Sequence, residues 1–295
     1  MIAAAPPRAQ PTILSTAAEG RRWYRLAHGM LAAESEQGVG SVRLEGKAAI
    51  VTGSATGVGR STAVMLAERG CDVVVNYTRS ETEARETARA VEQAGTRALL
   101  QQCDVSDDRA VRAMVAACQR ELGRLDVLVN NAGTTHFVPF SDLDALTDEI
   151  WERIFAVNVR GAFNVTRAAA PLMRAAGGGA VVNVASLAGL RASGSSIPYA
   201  ASKAALLNMT VALARTLAPE IRVNAVAPGF IEGRWLQGGL GERYEGSLAA
   251  VATRTPLGRV ARPEDVAQAI LALVESADFV TGQTIAVDGG NHIAI

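Results

Sequence analysis

Tyr199 and Lys203 stand four residues apart in a chain with only four tyrosines and, among its 29 basic residues, only two lysines. On a helix, positions i and i+4 share a face, so the phenol and the ammonium would lie side by side. A lysine presents a compact point charge on a flexible stem, which the planar fork of arginine cannot do. Such a pair suits proton transfer, and the bland alternative is an exposed helical pair of no consequence. Ser186 lies 13 residues before Tyr199. At the end of a strand its hydroxyl can stand beside the phenol, and the two can hydrogen-bond one carbonyl oxygen. Asn158, between Val157 and Val159, is an amide in an apolar stretch and needs partners if buried. It is either a satisfied core residue or the holder of a water that links Lys203 to solvent.

Short Val/Ala/Leu runs alternate with longer amphipathic segments from Leu44 onward. Strands are expected at Ala48–Thr52, Asp72–Asn76, Arg97–Gln102, Asp126–Asn130, Ala180–Ser186, Ile221–Ala227 and Thr284–Val287. These runs are apolar throughout, as parallel strands buried on both faces must be. Helices are expected near 58–69, 81–94, 107–122, 148–175, 198–218 and 263–274. The fold class is α/β: one doubly wound, Rossmann-type domain over residues 44–295, with a parallel sheet of about seven strands and helices on both faces. The glycine-rich excursion between Gly229 and Val260 breaks the rhythm, and reads either as a substrate lid or as an ordinary surface loop.

The first strand runs into Thr52-Gly53-Ser54-Ala55-Thr56-Gly57-Val58-Gly59. Glycines at a strand-to-helix turn let backbone approach a pyrophosphate, which the helix N-terminus attracts. An acidic residue at the end of the second strand would bind the adenosine ribose hydroxyls of NAD and repel a 2′-phosphate. This chain has the neutral Asn76, followed by Arg79, whose fork can pair with that phosphate. The cofactor expected is therefore NADP(H) in preference to NAD(H), unless Arg79 merely caps the next turn. Asp104 and Val105, after the third strand, lie where adenine would sit, although Asp104 or Ser106 can equally cap the next helix. Asn131, Ala132 and Gly133 follow the fourth strand, on the rim where such folds bind ligands.

Formal net charge is zero and no basic block stands out, so nucleic acid is not an expected partner. No apolar run approaches a membrane span. Cys71, Cys103 and Cys118 form no CxxC pair, and their odd number argues against a disulfide framework. Together these point to a reducing, cytoplasmic setting. Residues 1–43, with Pro6-Pro7, Pro11 and several arginines, read as a poorly ordered extension, with a transit peptide or a start at Met30 as alternatives.

Taken together, these residues resemble the short-chain dehydrogenase/reductase superfamily over about residues 44–295. The markers are Thr52-Gly53-x3-Gly57-x-Gly59, Asn130-Asn131-Ala132-Gly133, Asn158, Ser186, Tyr199-x3-Lys203, Pro228-Gly229 and Thr281-Gly282-Gln283-Thr284…Val287-Asp288-Gly289-Gly290. Within the superfamily the chain looks most like the β-ketoacyl reductase and sugar- or polyol-dehydrogenase type. The resemblance implies hydride transfer between nicotinamide and a small-molecule carbonyl or secondary alcohol, with Tyr199 as proton donor and Ser186 orienting the oxygen. It implies that Lys203 holds the nicotinamide ribose, that Asn158 supports a proton-relay water, and that the protein is a homotetramer built on helices 148–175 and 198–218. A catalytically silent nucleotide-binding regulator or scaffold on the same fold is the alternative. Bringing a tyrosine from near 10 toward neutrality takes about 3–4 kcal/mol. An ammonium at about 4 Å supplies roughly 4 kcal/mol at an effective dielectric of 20.

Two departures stand out. Family members often carry threonine five residues after the proline of Pro228-Gly229, where this chain has Gly233. Backbone contacts of Ile231, or a shifted loop, must serve instead. The segment from Thr134 to Asp142 also lacks the basic, methionine-rich character of many acyl-carrier reductases, and His136 reads either as pocket lining or as surface.

Overall fold

A computed structural model describes residues 43–294. The expectations for the N-terminal extension and Met30 lie outside the described residues. The Val- and Ala-rich runs form β1 (Ala48–Val51), β2 (Asp72–Tyr77), β3 (Ala98–Gln102), β4 (Val127–Asn130), β5 (Gly179–Val184), β6 (Ile221–Pro228) and β7 (Thr284–Val287). They pair in the order β3-β2-β1-β4-β5-β6-β7, parallel throughout. The order reverses between β1 and β4, and there the carboxyl ends of the strands open a crevice.

Alternation along each strand divides the core into two layers. Ala49, Val51, Val73, Val75, Val127 and Val129 face one way, against Ala63, Leu66, Val266 and Ile270. Those last four come from α1 (Gly57–Ala67) and α10 (Pro263–Glu275). Ile50, Val74, Leu128, Val181 and Val223 face the other way, against Val111, Met114, Val165, Ala169, Ala214 and Leu217. These belong to α3 (Asp108–Leu122), α5 (Ala162–Ala175) and α7 (Ile197–Leu217). α2 (Glu81–Gln93) follows β2.

Local chemistry revises several expected boundaries. The helix read as continuous over 148–175 is α4 (Asp148–Phe155), a π-helical turn (Ala156–Gly161) and α5. Val105 packs against the end of the π-turn: its Cγ2 lies 2.6 Å from where a Cβ on Gly161 would stand, so only a glycine fits there. Asp107, not Asp104 or Ser106, caps α3, accepting hydrogen bonds from the amides of Arg109 (2.9 Å) and Ala110 (3.2 Å). Strand pairing on β5 stops at Val184, two residues short of the expected Ser186, and a short helix, α6 (Ala188–Arg191), follows. The excursion after Gly229 carries α8 (Arg234–Leu240) and α9 (Tyr244–Arg254), which its five glycines had concealed. Among the described residues no helix is long and apolar enough to cross a membrane.

A chain of buried amides and hydroxyls ties the middle strands to both helices above them. Asn130 Nδ2 donates to Thr166 Oγ1 (2.9 Å) and Asn183 Oδ1 (2.8 Å), and Asn183 Nδ2 donates to Thr210 Oγ1 (2.9 Å). Removing one member strands its neighbours. Asn183→Ala is expected to cost about 2–3 kcal/mol, read as a lower urea midpoint at unchanged m-value.

Candidate active site

The turn after β1 is open on its outer side and knotted on its inner side. Gly57 adopts φ +56°, and a Cβ there would meet nothing within 4 Å. Thr56, the N-cap of α1, makes no side-chain cap, and the helix has no acidic residue in its first turn. The free N–H groups and positive end of α1 therefore face the crevice, the arrangement that receives a phosphate. On the inner side Ser54 and Ala55 are buried. Gly59 has no room for a side chain: a Cβ would lie 2.5 Å from both Gly53 O and Asn131 Nδ2.

Two asparagines expected to touch the cofactor hold this turn. Asn76 is 1% exposed. Its Oδ1 accepts from Gly53 N (2.9 Å), while its Nδ2 donates to the carbonyls of Gln101 (3.2 Å) and Cys103 (3.1 Å). With every polar atom spent, it cannot reach a ribose. Asn131 Nδ2 donates to the carbonyls of Thr52 (2.8 Å) and Gly53 (3.0 Å), and Thr52 Oγ1 accepts from the amides of Asn131 and Ala132, both at 3.0 Å. Arg79 is exposed at the rim and makes no ion pair among the described residues. Asp104 accepts from Ser106 N (2.9 Å) and pairs with Arg153 (3.0 Å). Burial alone would raise its pKa, but the Ser106 and Arg153 bonds outweigh it and hold the carboxyl below its ordinary range. Val105 points inward against Gly161, so its side chain supports the π-turn.

Across the crevice α7 carries Tyr199 and Lys203 on one face, as the spacing required. Pro198 starts that helix at a position where its missing N–H costs nothing. Lys203 is 4% exposed and donates to the Val184 carbonyl at 2.8 Å. Its Nζ lies 5.7 Å from the centre of the Tyr199 ring. Asn158, from the π-turn, is a fully satisfied core amide: Oδ1 accepts from Thr134 N (2.8 Å), and Nδ2 donates to Thr134 O and Ser202 Oγ (both 3.0 Å). A Cβ on Gly133 would lie 3.4 Å from Asn158 Oδ1 and 3.6 Å from Lys203 Nζ, which places the loop after β4 against the ammonium. Ser202, which the sequence reading passed over, sits three residues after Tyr199 and binds its carbonyl (2.7 Å).

Ser186 Oγ accepts from Ala188 N (3.1 Å), and Leu187 N donates to Pro228 O (2.9 Å). Pro228-Gly229 is thereby held beside Ser186. Ile231 pairs with Ala261 through bonds made by Phe230 O and Glu232 N, which leaves its own amide and carbonyl outside that bridge.

Electrostatics correct one expectation. Burial pushes the Tyr199 phenol above its ordinary value, and the Ser186 hydroxyl offsets only part of that rise. Burial also lowers Lys203 from 10.5 to about 8. The ammonium is farther from the ring centre than the 4 Å contact that would dominate, and desolvation prevails.

The family profile described as Enoyl-(Acyl carrier protein) reductase matches residues 53–292. A protein assigned as ketoacyl reductase 2 of the granaticin polyketide synthase, from Streptomyces violaceoruber, is 46% identical over 249 residues, 84% of this chain and 97% of its own length. A solved structure from Burkholderia xenovorans, assigned as a short-chain dehydrogenase/reductase, superposes with TM-score 0.79 at 37% identity, covering 84% of this chain and 98% of that one. The chain belongs to the short-chain dehydrogenase/reductase family. A gluconate 5-dehydrogenase from Burkholderia cenocepacia, solved with NADP and tartrate, superposes with TM-score 0.78 at 35% identity, covering 87% of this chain and 99% of that one. As a short-chain dehydrogenase/reductase it is an NAD(P)-dependent oxidoreductase acting on carbonyl and alcohol groups.

The buried lysine gives a signed test. Between about pH 8 and 10.5 the folded chain binds fewer protons at Lys203 than the unfolded chain, so this group's contribution to stability rises with pH across that window. Lys203→Met removes the dependence. The stability of the variant relative to the parent, from urea unfolding, is expected to fall by about 2 kcal/mol between pH 7.5 and 9.5.

Proposed function

We propose that this chain is an NADPH-preferring carbonyl reductase in which Tyr199 is the proton donor. The observation that carries the reading is the convergence of Tyr199, Ser186 and Lys203 on the crevice beside the open turn at Gly57. The residues fit a dinucleotide: an uncapped helix N-terminus without acidic side chains for the pyrophosphate, and a buried ammonium with donors to spare beyond Val184 O. The bound cofactor supplies the hydride. The backbone of Thr56, Val58 and Gly59 would take the phosphates, with Gly53 fixed behind them by Asn76 and Asn131, and Ala132 and Gly133 would line the floor. Pro228, Gly229 and the amide of Ile231 would face the nicotinamide end, while Asp104, with the Val105 side chain packed behind it, would close the adenine end.

Tyr199 delivers its phenolic proton to the substrate oxygen. Ser186 donates a hydrogen bond to that oxygen and stabilises the charge that grows on it. Lys203 orients the ribose hydroxyls and adds positive potential. Asn158 positions both by fixing Thr134 and Ser202 on either side of the ammonium. Tyr199→Phe is expected to lower kcat by about 10²–10⁴-fold, with NADPH affinity unchanged in a fluorescence titration; turnover at the parent rate would remove Tyr199 from the mechanism.

NADPH preference is supported by the absence of a carboxylate at the end of β2 and by the exposed Arg79. With Asn76 buried, Arg79 alone carries the preference. Arg79→Ala is expected to weaken NADPH about tenfold, the equivalent of about 1.4 kcal/mol, and to leave NADH unchanged. Equal loss for both cofactors would reject the assignment.

A homotetramer built on α4, α5 and α7 is supported by Phe163 and Val211, large apolar side chains 39% and 37% exposed on α5 and α7. A reducing, cytoplasmic setting is supported by three free, buried cysteines.

A further inference from the structure

The segment after Gly229 is held closed from both sides. At its start Arg234 reaches the loop before α2, donating to Ser80 Oγ (3.1 Å) and pairing with Glu83. At its base Tyr244 OH accepts from Gly233 N (3.1 Å), and Ile231 bridges to Ala261. α8 turns Leu236, Gly239 and Leu240 toward the body of the protein and leaves Arg234, Trp235, Gln237 and Gly238 exposed. That i, i+3, i+4 stripe is the docking face of the helix.

Phe137 meets this face at its smallest residue. A methyl group on Gly239 would fall inside the Phe137 ring, in contact with Cζ and both Cε atoms. The ring therefore lies directly on the helix backbone. Phe137 has little freedom to leave, because its loop is fastened on both sides. Thr134 is bound through its amide and carbonyl to Asn158, Thr135 Oγ1 bonds to Ser195 Oγ, and Val138 N donates to Ser195 O (2.9 Å). Gly194, next to Ser195, packs against Tyr199: a Cβ there would lie 3.5 Å from Tyr199 Cδ1. The loop that carries Phe137 is thus zipped to the segment that flanks the reacting phenol.

We infer that Phe137, seated on Gly239, sets the size of substrate admitted to Tyr199, passing compact ketones and alcohols and excluding fused polycyclic ones. This rests on the reductase reading above and assigns Phe137 as a specificity residue for that reaction. The loop that carries the ring runs from Gly133, against the ammonium, to the segment packed on Tyr199, so the ring stands at the approach to the phenol. A fused-ring ketone would need volume that the ring fills, and the Ser195 bonds and the packing on Gly239 oppose its displacement. A pocket discriminates by about 10–200-fold for small changes in apolar bulk, so the effect is measurable.

The test compares cyclohexanone with 2-decalone as NADPH-dependent substrates of the full chain. Phe137→Ala and Phe137→Leu are expected to raise the decalone-to-cyclohexanone ratio of kcat/KM, by at least tenfold for alanine and less for leucine, mainly through KM. The affinity for NADPH, measured separately by fluorescence, stays at the parent value and shows that both variants fold. Gly239→Ala is expected to displace ring and helix together and to raise KM for both ketones. An unchanged ratio in both Phe137 variants, with NADPH bound normally, overturns the inference while leaving the reductase reading intact. Failure of the parent protein to reduce any ketone with either cofactor overturns that reading, and the inference with it.

Discussion

A positive charge held almost out of water organises this site. Lys203 is 4% exposed, and among the described residues its one acceptor is the Val184 carbonyl, at the point where β5 stops pairing. Burying an ammonium is costly unless it is well partnered, and the surrounding structure meets that cost with fixed polar atoms. β5 must end at Val184 so that its carbonyl points at α7. The π-turn must place Asn158 between Thr134 and Ser202. Gly133 passes within van der Waals reach of the ammonium. Each of these fixes backbone around the ammonium, and the π-helical turn that carries Asn158 is one of them.

The nucleotide side follows a different logic. Most of its polar side chains face inward and fix the backbone, and the backbone is what faces outward. Asn76 and Asn131 each bond Gly53, one through its amide and one through its carbonyl, so the turn is clamped from β2 and from β4 at once. Thr52 adds a third tie, to the amides of Asn131 and Ala132. A phosphate site made of N–H groups needs such rigidity, because loose amides would be reordered on each binding event at an entropic cost.

How much of this was legible in the sequence depended on whether the signal was local. The seven parallel strands, the glycine turn and the shared face of Tyr199 and Lys203 follow from period and spacing, and all were readable. Asn76 was not. Its position twenty-odd residues after the turn marked it for the ribose, but the inward-facing parity of β2 decided otherwise, and parity at a strand end moves with a single residue of register. The caps of α3 were misread because Asp104, Ser106 and Asp107 all suit the role, and only the chain path selects Asp107. α8 and α9 were hidden by glycines that lower helix propensity without preventing a helix once its apolar face finds a partner. The π-turn had no signature of its own, and the Val105 contact that requires a glycine at 161 comes from more than fifty residues upstream.

The pairing of Tyr199 with Lys203 also means something different in place than on paper. Proximity alone suggested an ammonium that makes the phenol acidic. Burial acts on both groups and in opposite senses, raising the acid whose ionised form is an anion and lowering the one whose protonated form is a cation. At neutral pH both protons are therefore in place: the phenol is protonated because its anion is poorly solvated, and the ammonium remains charged because about 8 still lies above 7. A pair in that state is set to give a proton, which matches reduction of a carbonyl. Taking a proton from an alcohol needs the phenolate first, and that requires either a higher pH or a further positive charge brought close to the ring. Desolvation of the two side chains thus sets which proton-transfer form is ready at neutral pH, while the direction of turnover follows from whichever nicotinamide form and substrate are supplied.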